Sequence, residues 1–146
     1  MAVNAILSKG VELGFKTSSE TNYTEVEGIT SVPALGGTIE KVDVTTLKNN
    51  AYVYIPGLQT YDDLEFGMIY DKAIYKTVDT AIRTVDPTTH VSTYHELDWK
   101  VSFPDGVYFT FKGTGNLRVE GAEVNGALTA TLTITPKTEI IPTFPQ

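Results

Sequence analysis

Apolar and polar residues alternate along most of this chain, and a period of two is the signature of half-buried strands. Val11, Leu13 and Phe15 share one parity, while Glu12, Gly14 and Lys16 take the other. The pattern returns at Leu64, Phe66, Met68 and Tyr70 against Asp63, Glu65 and Ile69. It returns again at Leu97, Trp99, Val101 and Phe103 against Glu96, Asp98, Lys100 and Ser102. Residues 24–31 continue in β style and stop near Pro33. Gly36-Gly37 then marks a turn. Residues 38–47, rich in Thr, Val and Ile, read as a further long strand.

Turn chemistry sets the order of the C-terminal half. Pro104-Asp105-Gly106 supplies a hairpin turn: proline fixes φ, aspartate bonds its own backbone and glycine takes φ > 0. Val107, Phe109 and Phe111 follow on the return strand. Gly113 and Gly115 suggest a bulge or kink. Asn125-Gly126 is the strongest two-residue hairpin signal. It is expected to join a strand near 116–124 to one at 127–135, with Leu128, Ala130, Leu132 and Ile134 facing the core. After Pro136 the sequence reads as an extended arm carrying Ile140, Ile141 and Phe144.

One segment departs from the period of two. Ile74, Val78, Ala81 and Ile82 form an apolar stripe at helical spacing, with Asp71 placed as N-cap. The helix is expected over about 71–83, and Asp86-Pro87 closes the segment. Residues 86–93 then read as a polar loop. The sum is a mainly β chain of about eight strands: an antiparallel β-sandwich or open barrel with one flanking α-helix.

Composition narrows the function. A chain of 146 residues is one domain in size and needs no staples. It has no cysteine, so disulfides and thiolate metal sites are excluded. No apolar run approaches the roughly 20 residues of a membrane span. The N-terminal segment has one lysine and no long apolar stretch, so no secretory signal is expected. With 11 Lys and Arg against 18 Asp and Glu, the formal charge is −7. Such a chain repels a phosphate backbone instead of releasing its counterions.

Signals of catalysis or cofactor binding are sparse. His90 and His95 are five apart, an odd spacing that puts them on opposite faces of a continuous strand. No nucleophile elbow, phosphate loop or dinucleotide fingerprint is present. The pairs Glu25/Glu27, Asp63/Glu65 and Glu96/Asp98 are spaced i, i+2, so each is expected on one strand face. None lies in an evident apolar pocket, which reads as solvated faces, not as a general acid and base. No EF-hand loop is found. Asn22-Tyr23-Thr24 matches a glycosylation sequon, a short and frequent tripeptide. No cofactor and no enzyme activity are expected.

The connection at about 47–58 has the wrong composition for a surface loop. It carries Asn49, Asn50, Tyr52, Val53, Tyr54, Ile55 and Pro56. Two readings are open. Its aromatics fold back onto their own core, or the segment reaches another copy of the chain. The C-terminal arm has the same two readings.

Three stretches together resemble one family. They are ITSVPALGGTIEKVDVTTL, YIPGLQTYDDLEFGMIYD and FPDGVYFTFKGTGNLRVEGAEVNGALTATLTITPKTEI. Their order resembles the tail tube (major tail) proteins of long-tailed bacteriophages, in particular the non-contractile siphovirus kind of Gram-positive hosts. Residues 84–95 fall outside the resemblance. It implies a β-sandwich with a flanking helix, six copies joined edge to edge into a ring, and rings stacked into a tube. It also implies contacts through the 47–58 loop and the N- and C-terminal arms, and lumenal carboxylates drawn from Asp63, Glu65, Glu25 and Glu27. The implied partners are the chain itself, a tape measure protein in the lumen, and terminator and distal tail or baseplate proteins at the ends. DNA would pass through transiently, without sequence recognition. The implied location is the virion tail, assembled in host cytoplasm. Alternatives are a baseplate, distal tail or capsid-decoration β-domain, or a tube of a related injection machine. A carbohydrate-binding β-sandwich needs an exposed aromatic platform, and the parity of Trp99, the only tryptophan, places it inward.

Overall fold

The computed structural model describes residues 9–121, 124 and 126–145. Its strands are β1 (Glu12–Lys16), β2 (Thr24–Val26), β3 (Ile29–Ser31), β4 (Thr38–Asp43), β5 (Tyr54–Thr60) and β6 (Leu64–Ile69). Helix α1 (Lys72–Ile82) follows, and then β7 (Arg83–Val85), β8 (Ser92–Tyr94), β9 (Glu96–Ser102), β10 (Tyr108–Val119), β11 (Thr129–Pro136) and β12 (Ile141–Thr143).

Eight strands make the main antiparallel sheet, in the order β2-β1-β9-β10-β11-β6-β3, with β12 also paired to β10. Its two terminal strands, β2 and β3, are consecutive in the chain and separated only by Glu27 and Gly28. Seven strands laid flat would be about 29 Å across at 4.8 Å per gap. The step from Val26 to Ile29 spans at most about 11 Å. The sheet therefore curls until its ends nearly meet, and of the two architectures expected the open barrel is the one present. Gly28 takes φ 82 in the connection, and its carbonyl accepts the Ile69 N–H at 2.9 Å.

Strand alternation fills the interior as the sequence predicts. Trp99 lies opposite both Phe15 and Phe111, and Leu132 opposite both Phe66 and Leu117. Trp99, Phe66, Met68, Val101, Leu132 and Ile134 are completely buried. Helix α1 adds Val78 and Ile82 to this core. The Asp71 carboxylate caps it, accepting the Ala73 and Ile74 N–H groups at 2.9 and 3.3 Å.

The structure corrects several expectations. Residues 86–93 are not simply a polar loop, because β8 starts within them at Ser92 and pairs with β7 as a short hairpin. Its Asp86-Pro87 turn ends at His90, which has φ 59. Gly113 and Gly115 do not break a strand: β10 runs through both for 12 residues. A Cβ at Gly115 would sit 3.1 Å from the Trp99 ring and 3.3 Å from Ile82, so the glycine admits the indole. The Pro104-Asp105-Gly106 turn forms as expected, with the Phe103 N–H donating to the Val107 carbonyl at 2.9 Å. β10 and β11 pair antiparallel as expected, but they stop at Val119 and resume at Thr129. Asn125 of the predicted turn lies outside the described residues. Leu128 is 37% exposed and not a core residue.

Candidate assembly surface

β4 and β5 form a separate two-stranded hairpin that no third strand joins among the described residues. The expected loop at 47–58 is thus partly strand, since Tyr54 to Leu58 belong to β5. The base and tip of the hairpin are closed by local bonds. Val44 N–H donates to the Val53 carbonyl at 2.9 Å, and Asn49 accepts the Thr46 N–H at 2.7 Å. The Asp43 carboxylate accepts the Thr45 N–H at 2.9 Å. Hydrogen bonds from the Thr45 hydroxyl and N–H hold this carboxyl below the usual carboxylate range.

The hairpin leaves its apolar side chains in solvent. Leu47, Tyr52 and Leu58 are 106%, 76% and 82% exposed, and Ile39, Val42, Val53, Tyr54 and Ile55 are exposed as well. Tyr52 and Tyr54 stack on each other with ring centroids 6.4 Å apart, not on the core. Asn49, Asn50 and Pro56 are likewise exposed, with Asn50 and Tyr52 lining a shallow hollow at the tip. An isolated two-stranded hairpin is marginal in water, and so many exposed apolar side chains on one ribbon make it a candidate contact surface. Of the two readings of this segment, packing on its own core is therefore not the one observed.

The C-terminal residues divide. Ile140 is 7% exposed and part of the chain's own core, where its N–H donates to the Tyr61 hydroxyl at 3.3 Å. It is not available to a neighbour, contrary to its expected place in an interface arm. Ile141 lies in β12, paired to β10, so the arm is folded back at this point. Ile141 and Phe144 remain 53% and 71% exposed.

The outward face of the main sheet is polar but of mixed sign. Asp63, just before β6, accepts the Thr135 hydroxyl at 3.0 Å, and Glu65 sits exposed opposite Thr133. Asp98 lies between Lys16 and Lys112 at 3.7 and 3.9 Å. Lys100 covers the Tyr108 ring at 4.3 Å. Glu120 accepts from the Thr131 hydroxyl and Arg118, which lower its pKa in that order. Around Asp98 and Glu120 the outward face is therefore interleaved with cations.

Glu25 and Glu27 do not share a strand face. Glu25 is in β2, but Glu27 is in the turn beyond it, and both border a hollow beside Ala73, Ile74 and Thr77 of α1. His95 is bonded to Thr84, with its Nε2 2.7 Å from the hydroxyl. Among the described residues no three His, Cys, Asp or Glu side chains are grouped to hold a metal ion. No helix of the described residues is long and apolar enough to cross a membrane.

No protein-family model matches the sequence, and no curated protein matches it. Solved structures do match the fold. The chain superposes on a protein from the sheath/tube terminator of an extracellular contractile injection system, PVC, with TM-score 0.73 and 8% identity. That match covers 99% of this chain and 100% of the other. It is similar to a chain in the tail of an empty GTA particle, refined with C6 symmetry, at TM-score 0.68 and 16% identity. Coverage there is 96% and 100%. A chain from the six-fold symmetrised baseplate of the anti-feeding prophage matches at TM-score 0.65 and 9% identity, covering 98% and 97%. At these identities the likeness is one of fold.

Proposed function

We propose that this chain is a non-enzymatic structural subunit that assembles with copies of itself into stacked hexameric rings, forming the tube of a long-tailed phage. The observation that carries the proposal is the β4–β5 hairpin, an exposed apolar ribbon that no other strand of the described residues joins. The fold likeness supports it, because the matched chains come from a tail, a sheath/tube terminator and a baseplate, two of them in assemblies of six-fold symmetry. The sequence resemblance narrows the reading to the major tail protein of a non-contractile siphovirus. In that role the tube holds a tape measure protein and then lets DNA pass, with terminator and distal tail proteins at its ends.

The hairpin and Phe144 are the contact groups in this reading, and the hairpin reaches along the axis to the next ring. Ring closure is physically favourable because it removes open sheet edges. A second reading, a terminator or baseplate subunit, is favoured by the two matches to such parts. The two differ in whether one chain alone extends indefinitely. Negative-stain microscopy of the purified protein at rising concentration tests this. Tubes are expected; single closed rings that never stack favour the second reading, and a monomer at every concentration overturns both.

A further inference from the structure

We infer that the trough over β1, β9 and β10 is a saccharide site, in which Asp98, Lys16 and Lys112 hold a pair of neighbouring hydroxyls. It is independent of self-association and goes beyond the tube role.

Three adjacent strands present the floor of the trough. Lys16 lies opposite Asp98, and Asp98 opposite Lys112, so one row of side chains crosses β1, β9 and β10. Alternation aims all three outward, because Phe15, Trp99 and Phe111 beside them are buried. Each carboxylate oxygen of Asp98 has its own lysine. Lys16 Nζ stands 3.7 Å from Oδ2, and Lys112 Nζ stands 3.9 Å from Oδ1. Both separations are too long for a direct hydrogen bond. They suit a bridging oxygen that accepts from the ammonium and donates to the carboxylate. A hydroxyl is the neutral group that does both. Two such bridges, on the two oxygens of one carboxylate, match hydroxyls on adjacent carbons. A sugar ring supplies such pairs.

The surroundings fit the same ligand. The trough holds about 310 Å³, near the lower end of small-molecule sites at roughly 300 Å³. Asp98 and Glu139 balance Lys16 and Lys112 along it, so a neutral polyol is favoured over a phosphate or a cation. Tyr23 and Ile141 flank the floor with apolar surface for the C–H groups of a sugar. The Lys16 and Lys100 ammonium groups each lie 5.3 Å from the centre of the Tyr23 ring and restrain it. Burial, and then the Asp98 charge, push the Tyr23 phenol up, so its hydroxyl stays a donor. On the far side the Thr138 hydroxyl accepts the Lys112 N–H at 2.9 Å. The Lys137 N–H donates to the Lys112 carbonyl at 2.7 Å. That side is therefore fixed before a ligand arrives, which lowers the cost of binding.

The trough is separate from the candidate lumenal acids. Asp98 on β9 and Glu65 on β6 are three strands apart in a sheet whose ends nearly meet, so they face well-separated directions. A tube that lines its channel with Glu65 turns the trough away from that channel.

NMR titration of the labelled full-length chain, dilute enough to stay unassembled, tests the site with the methyl glycosides of mannose, glucose and galactose. At least one should shift the Asp98, Lys112 and Thr138 amides saturably. Tetrahydropyran, a ring of similar size without hydroxyls, should not. Asp98→Asn keeps the shape and replaces one acceptor by a donor, so it should weaken binding roughly tenfold or more. Lys112→Met keeps the stem of a half-exposed side chain and should weaken binding as well. Retention on beads carrying a polysaccharide of the bound sugar identifies a surface glycan as the source. Glycoside binding without retention identifies a free sugar. The inference is overturned if no glycoside gives a saturable shift at these residues, if tetrahydropyran gives the same one, or if Asp98→Asn binds as the parent does. A chain that never forms rings leaves it standing.

Discussion

The Trp99 indole N–H donates to the Gly113 carbonyl at 3.0 Å, across two paired strands and in complete burial. A buried indole needs such a partner, since an orphaned donor costs about 1–3 kcal/mol. Gly115, two residues on, leaves the space that the ring occupies.

Gly115→Ala should therefore destabilise the unassembled subunit by about 1–3 kcal/mol through overpacking against Trp99 and Ile82. Trp99→Phe should cost at least as much, since it opens a cavity and leaves the Gly113 carbonyl without that donor. Urea unfolding followed by circular dichroism reads both. A midpoint unchanged in Gly115→Ala would show that the core yields at that point.

The sequence made these core positions legible because burial has a period of two and the side chains are large. Trp99, Phe66 and Leu132 followed from parity alone. The helix followed from a stripe and a cap at Asp71. What could not be read depended on long-range geometry. The signal of Gly113 and Gly115 is ambiguous, because a kink and a close approach both require glycine. Ile140 looked like its neighbours Ile141 and Phe144, yet of the three it is the one buried, with its N–H on the Tyr61 hydroxyl. The β7–β8 pair is too short to show alternation, and Asp86-Pro87 with His90 masked it as loop. The mixed sign of the outward face needed the register: only pairing puts Lys16 and Lys112 beside Asp98.

Replacing Tyr52, Tyr54 and Ile55 together with Ser should leave the melting of the subunit nearly unchanged, since none of the three is in the core. The same variant should lose assembly, read by sedimentation and microscopy. Parental assembly would sink the role given to these side chains. A collapse in melting temperature would show that they support the subunit after all.

Acid should loosen the hairpin. The Thr45 hydroxyl and N–H favour the ionised Asp43, so its pKa is lowered in the folded state. A lowered value contributes stability that is present above the unfolded pKa, at about pH 4, and is lost as pH falls through the folded one. NMR titration should place the Asp43 midpoint below that of an unfolded aspartate. Asp43→Asn should remove the acid dependence of exchange at Val44 and Val53. An ordinary midpoint would remove the carboxylate from the account of the turn.

If the outward sheet face lines the channel, the charge there sets how DNA slides. Asp63→Lys with Glu65→Lys changes two exposed side chains and should leave the fold intact, apart from the bond of Thr135 to Asp63. Particles built with this variant should release DNA more slowly in a time-resolved ejection assay, and the delay should shrink as salt is raised. An unchanged rate would count against charge guidance, as would a delay indifferent to salt.

Ile140 and Phe144 should separate stability from assembly. Ile140 is buried against the core and its N–H bonds Tyr61, whereas Phe144 stands 71% exposed four residues later. Ile140→Ala should cost about 2–4 kcal/mol by cavity formation, read as a lowered urea midpoint of the subunit. Phe144→Ser should leave that midpoint within about 0.5 kcal/mol of the parent, as surface changes do. Its effect should instead be a raised critical concentration for assembly, measured by light scattering. Were Phe144→Ser to assemble at the parental concentration, the hairpin alone would carry the contacts. The exposed ring would then be an ordinary surface aromatic.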